Sequence, residues 1–146
     1  FSLFWTSPYC ESYIAKYDIN GNFLWAKKIG GYQVDGYDLT VDNAQNIYVV
    51  GVFNNSIDFG SGVTLSSTGM FYAKYNNLGN ILWAKRIGST GVTHNIELDN
   101  SNNIYLAGNF NSSTLNVGSI TLSNNGGISD IFFGKFDNSG NPIWVK

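Results

Sequence analysis

The chain is poor in most of what catalysis and metal binding draw on. It holds one cysteine, Cys10, and one histidine, His94. A single cysteine excludes an intrachain disulfide and a cysteine-based metal site. A single histidine leaves general-base chemistry with one obvious residue, and no cysteine or carboxylate cluster stands near it in sequence. Charged side chains make up only 12% of the 146 residues, eight Lys or Arg against ten Asp or Glu, so no basic face for nucleic acid is offered. No apolar run approaches the roughly 18 residues of a membrane span. The opening FSLFWTSPYCES has neither a basic n-region nor a sustained apolar stretch, which is not an intact signal peptide and fits a mature or trimmed chain. Proline occurs only twice.

What abounds is aromatic side chains (16%), glycine (17 residues) and asparagine (20 residues). Asn and Gly tolerate the positive φ angles of tight hairpins, so this is the palette of a turn-dense β protein. The chain also repeats itself. YIAKYDINGNFLWAKKIG at 13–30 returns as FYAKYNNLGNILWAKRIG at 71–88 and as FFGKFDNSGNPIWVK at 132–146, offset by 58 and then 61 residues. NIYVVGVF at 46–53 returns as NIYLAGNF at 103–110. All eight cationic residues (Lys16, Lys27, Lys28, Lys74, Lys85, Arg86, Lys135 and Lys146) fall in the thrice-repeated hairpin, so they belong to its structure. A period of this length marks stacked supersecondary units that cannot bury an apolar face alone.

Each full unit carries four short runs rich in Tyr, Ile, Val, Phe and Trp. They are DLTVD at 38–42, IYVVGVF at 47–53, FYAKYN at 71–76 and ILWAKRI at 81–87, and a second set extends from NIELD at 95–99 to IWVK at 143–146. No helical period is sustained. The expected fold is all-β: β-propeller blades of four antiparallel strands, with a stacked β-solenoid as the alternative. About two and a half blades are present, divided as the end of a preceding insert (1–12), half a blade (13–30) and two complete blades (31–88 and 89–146). Three copies of one hairpin against two of the other lead us to expect a piece of a longer propeller, whose remaining blades or other subunits are its first partners.

These motifs resemble the SBBP-type β-propeller repeat of bacterial exported proteins. The match runs through Ala15, Lys16, Tyr17, Gly21, Asn22, Leu24, Trp25, Ala26 and Lys27, then Asp42, Asn46, Tyr48, Gly51, Phe53, Asp58, Phe59 and Gly60. Asn76, Gly134 and the Asn116–Val117 pair depart from it. The resemblance implies a secreted or bacterial cell-surface protein and carries no catalytic residues, because its motif is a fold signature.

Several features invite chemistry. Asx-rich turns at Asp18 to Asn22, Asp42 to Asn46, Asp99 to Asn103 and Asp137 to Asn141 look like the beginning of calcium loops. Each offers one carboxylate and lacks the distal bidentate Glu, so hairpin turns are the expectation. Asp58-Phe59-Gly60 lacks every other kinase element, and the glycine pairs at 60–62 and 88–91 lack the Lys-Ser/Thr and helix of a phosphate loop. Trp25, Trp83 and Trp144 share one repeat position, which suits blade packing better than sugar stacking. Trp5 lies outside the repeats and is expected to be exposed. No cofactor is expected.

The segments that vary between copies are the blade connections at 30–37 and 88–94 and the inserts at 54–69 and 111–130. Function on a rigid scaffold commonly sits in such loops. The candidate partner-binding loop residues are Tyr32, Gln33, Asp35, Tyr37, Thr93 and His94, with solvated connectors as the plainer reading. The expected function is a non-catalytic interaction or display module binding a protein or glycan, with a propeller lectin as the alternative. Tyr37 aligns with His94 and Asp35 with Val92, a mismatch that disfavours equivalent sugar pockets.

Overall fold

The computed structural model describes residues 11–146, so Trp5, Cys10 and nearly all of the expected leading insert lie outside the described residues. Twelve strands follow one another without a helix among those residues: β1 (Ser12–Tyr17), β2 (Phe23–Val41), β3 (Ile47–Asp58), β4 (Thr64–Ser66), β5 (Gly69–Tyr75), β6 (Ile81–Ile87), β7 (Val92–Leu98), β8 (Ile104–Phe110), β9 (Thr114–Val117), β10 (Ile120–Ser123), β11 (Asp130–Phe136) and β12 (Pro142–Val145). The second half of β2 pairs with β3, β3 with β5 and β5 with β6, all antiparallel, which makes one four-stranded blade. β7, β8, β11 and β12 make the second. The first half of β2 pairs with β1 as a leading hairpin. Two four-stranded propeller blades and a further hairpin are therefore present, as the repeat predicts.

The repeat is reproduced down to register. Lys16 faces Trp25 across β1 and β2, Lys74 faces Trp83 across β5 and β6, and Lys135 faces Trp144 across β11 and β12. In every copy the register slips by one residue directly after the lysine, before the hairpin turn.

Alternation along a strand sends successive side chains to opposite faces. In β3, Tyr48 and Val50 face the second blade, within a core that includes Tyr72, Ile87, Ile96, Leu106 and Phe132. Ile47, Val49 and Phe53 face the leading hairpin, with Ile14, Ile29, Phe71 and Tyr75. Every residue of β5 is buried, because both faces of the first blade are covered. That double burial explains why runs such as IYVV are apolar at successive positions. Each fully buried Leu, Ile or Phe of these cores contributes roughly 1.5–3 kcal/mol.

Two expectations about connections need correction. The 30–37 segment is not a loop: β2 runs through it unbroken, with register shifts around Tyr32 and Gln33 and at Tyr37. Bulges insert residues without ending a strand, and their glycines resemble loop signals. Likewise only 88–91 is non-strand between the blades, since Val92, Thr93 and His94 belong to β7. The inserts also fold further than expected. Residues 54–58 prolong β3, whose residues 56–58 pair with β4, and the later insert forms the β9–β10 hairpin, whose Leu115 and Val117 join the core between blades.

Gly51 and Gly108 occupy one repeat position, directly opposite Phe71 and Phe132. A β-carbon on Gly51 would lie 2.7 Å from the Phe71 ring and against the Asp35 carbonyl. On Gly36 it would meet nothing nearer than the Ser12 hydroxyl at 3.8 Å. Gly51→Ala should therefore lower stability by about 2–3 kcal/mol, whereas Gly36→Ala should stay within about 1 kcal/mol of the parent in urea denaturation.

Candidate functional site

The Asx turns are built alike. The Asp42 Oδ1 accepts from the Ala44 and Asn46 backbone N–H at 2.9 and 2.8 Å, and its Oδ2 accepts from the Asn46 side-chain amide at 2.8 Å. Asp18, Asp99 and Asp137 make the same three bonds. Asn76 makes the two backbone bonds at the corresponding place in the middle hairpin. Both carboxylate oxygens are thus engaged by the turn itself, which is the hairpin role expected of them. No group of three His, Cys, Asp or Glu side chains converges on a common point among the described residues.

Those bonds favour the ionised form. The Asn103 side-chain amide, reinforced by two backbone N–H groups and Lys135, holds the Asp99 carboxyl down at about 2. Asp18 is lowered chiefly by the Asn22 side chain, and Asp137 chiefly by the Asn141 backbone N–H. Asp42 is lowered too: burial pushes its pKa up, and the Asn46, Ala44 and Lys74 interactions outweigh it.

The turns also join the blades. The Asp137–Asn141 turn of the second blade projects onto the first, where Asn138 Oδ1 accepts from the Tyr48 hydroxyl at 2.8 Å and from Lys74 Nζ at 2.5 Å. Lys74 Nζ lies 4.8 Å from the Tyr48 ring centroid, a cation–π contact. The Tyr72 hydroxyl donates to the Gly140 carbonyl at 2.7 Å, and Lys85 Nζ to Asn141 Oδ1 at 2.8 Å. Gly140 has φ +73° and lies so close to Trp83 that a β-carbon would meet the indole at 3.0 Å. Gly79 stands in the same relation to Trp25, whose indole N–H reaches the Asn77 carbonyl at 3.3 Å. The repeated tryptophans at 25 and 83 are therefore packing elements of the joints. Burial pushes the Tyr48 hydroxyl upward, with Asp42 adding to it, and pushes the Lys74 ammonium downward, with Asp42 opposing.

The residues singled out as loop contacts are strand residues. Tyr32, Gln33, Asp35 and Tyr37 lie in β2, and Thr93 and His94 in β7. Tyr37 and His94 are the extra residues at equivalent bulges, and their rings meet edge to face at 6.1 Å. His94 Nε2 is 3.2 Å from Asn109 Oδ1, and Asn109 in turn donates to the Ser129 hydroxyl at 2.9 Å. Gln33 accepts from the Asn54 amide. Thr93 is wholly buried, and its hydroxyl has no hydrogen-bond partner among the described residues, so it cannot meet a ligand. Tyr37 and His94 thus come together, while Thr93 drops out. Asp38 went unnoticed in the sequence. Its carboxylate accepts from the Ile96 backbone N–H at 3.0 Å and ties the inner strands of the two blades. Only the coordinates reveal it, since its repeat counterpart Asn95 carries no such signal.

Four-stranded blades, shared joints and one repeated turn define the unit on geometry alone. Residues 24–57 match the SBBP β-propeller repeat. The chain is also similar to an uncharacterized WD repeat-containing protein of Acanthamoeba polyphaga mimivirus, 32% identical over 119 residues that cover 73% of this chain. The chain spans only 8% of that viral protein's length. The SBBP match runs from the outer strand of the leading hairpin into β3, so it includes Trp25, the Asp42 turn and Tyr48.

Two outcomes follow from these contacts. Asp99 is ordinarily a carboxyl of 3.8 and is held at about 2 in the fold. A lowered folded-state pKa contributes stability that is present above the unfolded value and is lost as pH falls from near 4 through 2. Asp99→Asn, which copies the Asn76 turn, should flatten part of that acid dependence, as read from urea midpoints at pH 7, 4 and 2.5. Thr93→Val removes an unpaired buried hydroxyl and should leave stability unchanged or raise it by up to about 1 kcal/mol in the same assay.

Proposed function

We propose that this chain is a non-catalytic propeller module for interaction or display, secreted or exposed on a cell surface, that binds a protein or glycan partner. The observation that carries this reading is how the repeated polar groups are used. The turn aspartates, Lys74, Tyr48 and Asn138 are committed to turns and joints, and the lone His94 faces an amide and a tyrosine ring in place of an acid or a nucleophile. Chemistry of the general-base kind needs an oriented partner for that histidine. The resemblance to repeats of exported proteins supports the location.

Recognition then falls to what the repeat leaves over. The exposed Tyr32, Tyr37 and His94 lie on the strand segments that differ between copies, where amphipathic rings suit a protein or sugar surface. A glycan array combined with a panel of esterase, phosphatase and glycosidase substrates separates the alternatives. The expected result is no turnover and no saturable binding across a set of related glycans. Saturable hits on several related glycans would replace this reading with the lectin, and turnover abolished by His94→Ala would replace it with a hydrolase.

A further inference from the structure

We propose that Lys74 and Asn138 are the two ends of a self-forming amide cross-link that fastens the second blade to the first. Lys74 is only 7% exposed, and its Nζ donates to Asn138 Oδ1 at 2.5 Å. A carbonyl bond is about 1.23 Å long, so the amine nitrogen stands roughly 3–3.5 Å from the Asn138 Cγ. That is the separation of reacting atoms in a near-attack arrangement. The oxygen of the same amide also accepts from the Tyr48 hydroxyl at 2.8 Å, and Tyr48 is wholly buried. The Oδ2 of the buried Asp42 carboxylate lies 3.3 Å from that hydroxyl. Nucleophile, polarised carbonyl, donor and carboxylate thus meet at one point of the joint.

Each group has a defined part. Burial pushes the Lys74 ammonium toward the neutral amine, with Asp42 opposing, and a desolvated amine is a competent nucleophile. Its lone pair attacks Cγ to form the Nζ–Cγ bond, and the π electrons of the carbonyl move onto Oδ1. The Tyr48 hydroxyl is placed to stabilise that oxyanion. Collapse breaks the Cγ–Nδ2 bond. One Nζ proton passes to Nδ2, with Asp42 as the relay, and ammonia leaves. An amine and a primary amide become a secondary amide and ammonia, with no change of oxidation state and no co-reactant. The other two repeat lysines lack this set. Lys16 Nζ donates to Gln45 Oε1 at 2.8 Å and meets Asn77 only at its backbone carbonyl, at 3.4 Å. Lys135 is paired with Asp99 at 3.3 Å. The reaction therefore belongs to the joint between the two blades, and its bond joins positions 64 apart.

Intact mass spectrometry of the folded 146-residue chain, held at pH 8 and 37 °C, should show the loss of one ammonia. Trypsin should then leave Lys74 uncut and yield residues 29–85 joined to 136–146, a linkage that hydroxylamine does not open. A succinimide at Asn20 or Asn125, each followed by glycine, also releases ammonia. It joins no two peptides, and hydroxylamine cleaves it. The same chain held in guanidinium should not link, because the two residues are then apart. Lys74→Arg and Asn138→Ala should abolish the joined peptide, and Lys16→Arg should leave it unchanged. Tyr48→Phe should slow its formation about a hundredfold. The peptide map of the parent chain decides the matter if these variants do not fold. An unchanged mass after weeks, ammonia loss without joined peptides, linking in guanidinium, or a linkage that survives Lys74→Arg would each overturn the proposal. None of these outcomes depends on what the module binds.

Discussion

The interaction on which the rest of the structure depends is the seating of one blade's Asx turn on the lysine, tyrosine and tryptophan of the blade before it. A four-stranded sheet of this size presents two apolar faces and cannot cover either by itself. The second blade covers one face of the first, and Asn138 and Gly140 pin the outer rim of that contact through Lys74, Tyr48, Tyr72 and Trp83. Near the inner strands Asp38 performs the corresponding task with the Ile96 amide. With the second blade on one face of the first and the leading hairpin on the other, β5 is fully buried.

Each component of the joint explains a repeated letter. Glycine is required within the turn because the residue has positive φ and lies against an indole ring, as at Gly79 and Gly140. Aspartate or asparagine opens the turn because its side chain must accept two backbone N–H groups at once. Lysine is tolerated between blades because a tyrosine ring, an amide oxygen and the Asp42 field offset its lost hydration. Tryptophan supplies a broad flat surface on which a glycine turn can rest.

This use of polar residues also bears on function. Groups that would signal an active site in another sequence are consumed in holding blades together, and their shifted pKa values have structural causes, since ion-pair and hydrogen-bond networks perturb titration as readily as catalysis does. Tyr37 and His94 are among the residues that break the repeat. They occupy equivalent bulges yet differ in chemistry, so they form one contact pair and do not make two copies of a pocket.

By itself the sequence determined the strands of the blades, their antiparallel order and the structural use of Trp25 and Trp83. It could do so because hydrophobic alternation, Asx-Gly turns and the recurrence of whole segments are local signals repeated two or three times. It misled at 30–37, where Gly30, Gly31 and Gly36 read as a loop although the backbone continues as a bulged strand. It misled equally at Thr93, because alternation is interrupted by a bulge and the buried phase is visible only in three dimensions. Only the tertiary structure decided which turn meets which tryptophan and that Asp38 reaches Ile96. Those contacts join residues 58 to 90 positions apart, and their geometry depends on how one blade is rotated against the next, a quantity that no single repeat encodes.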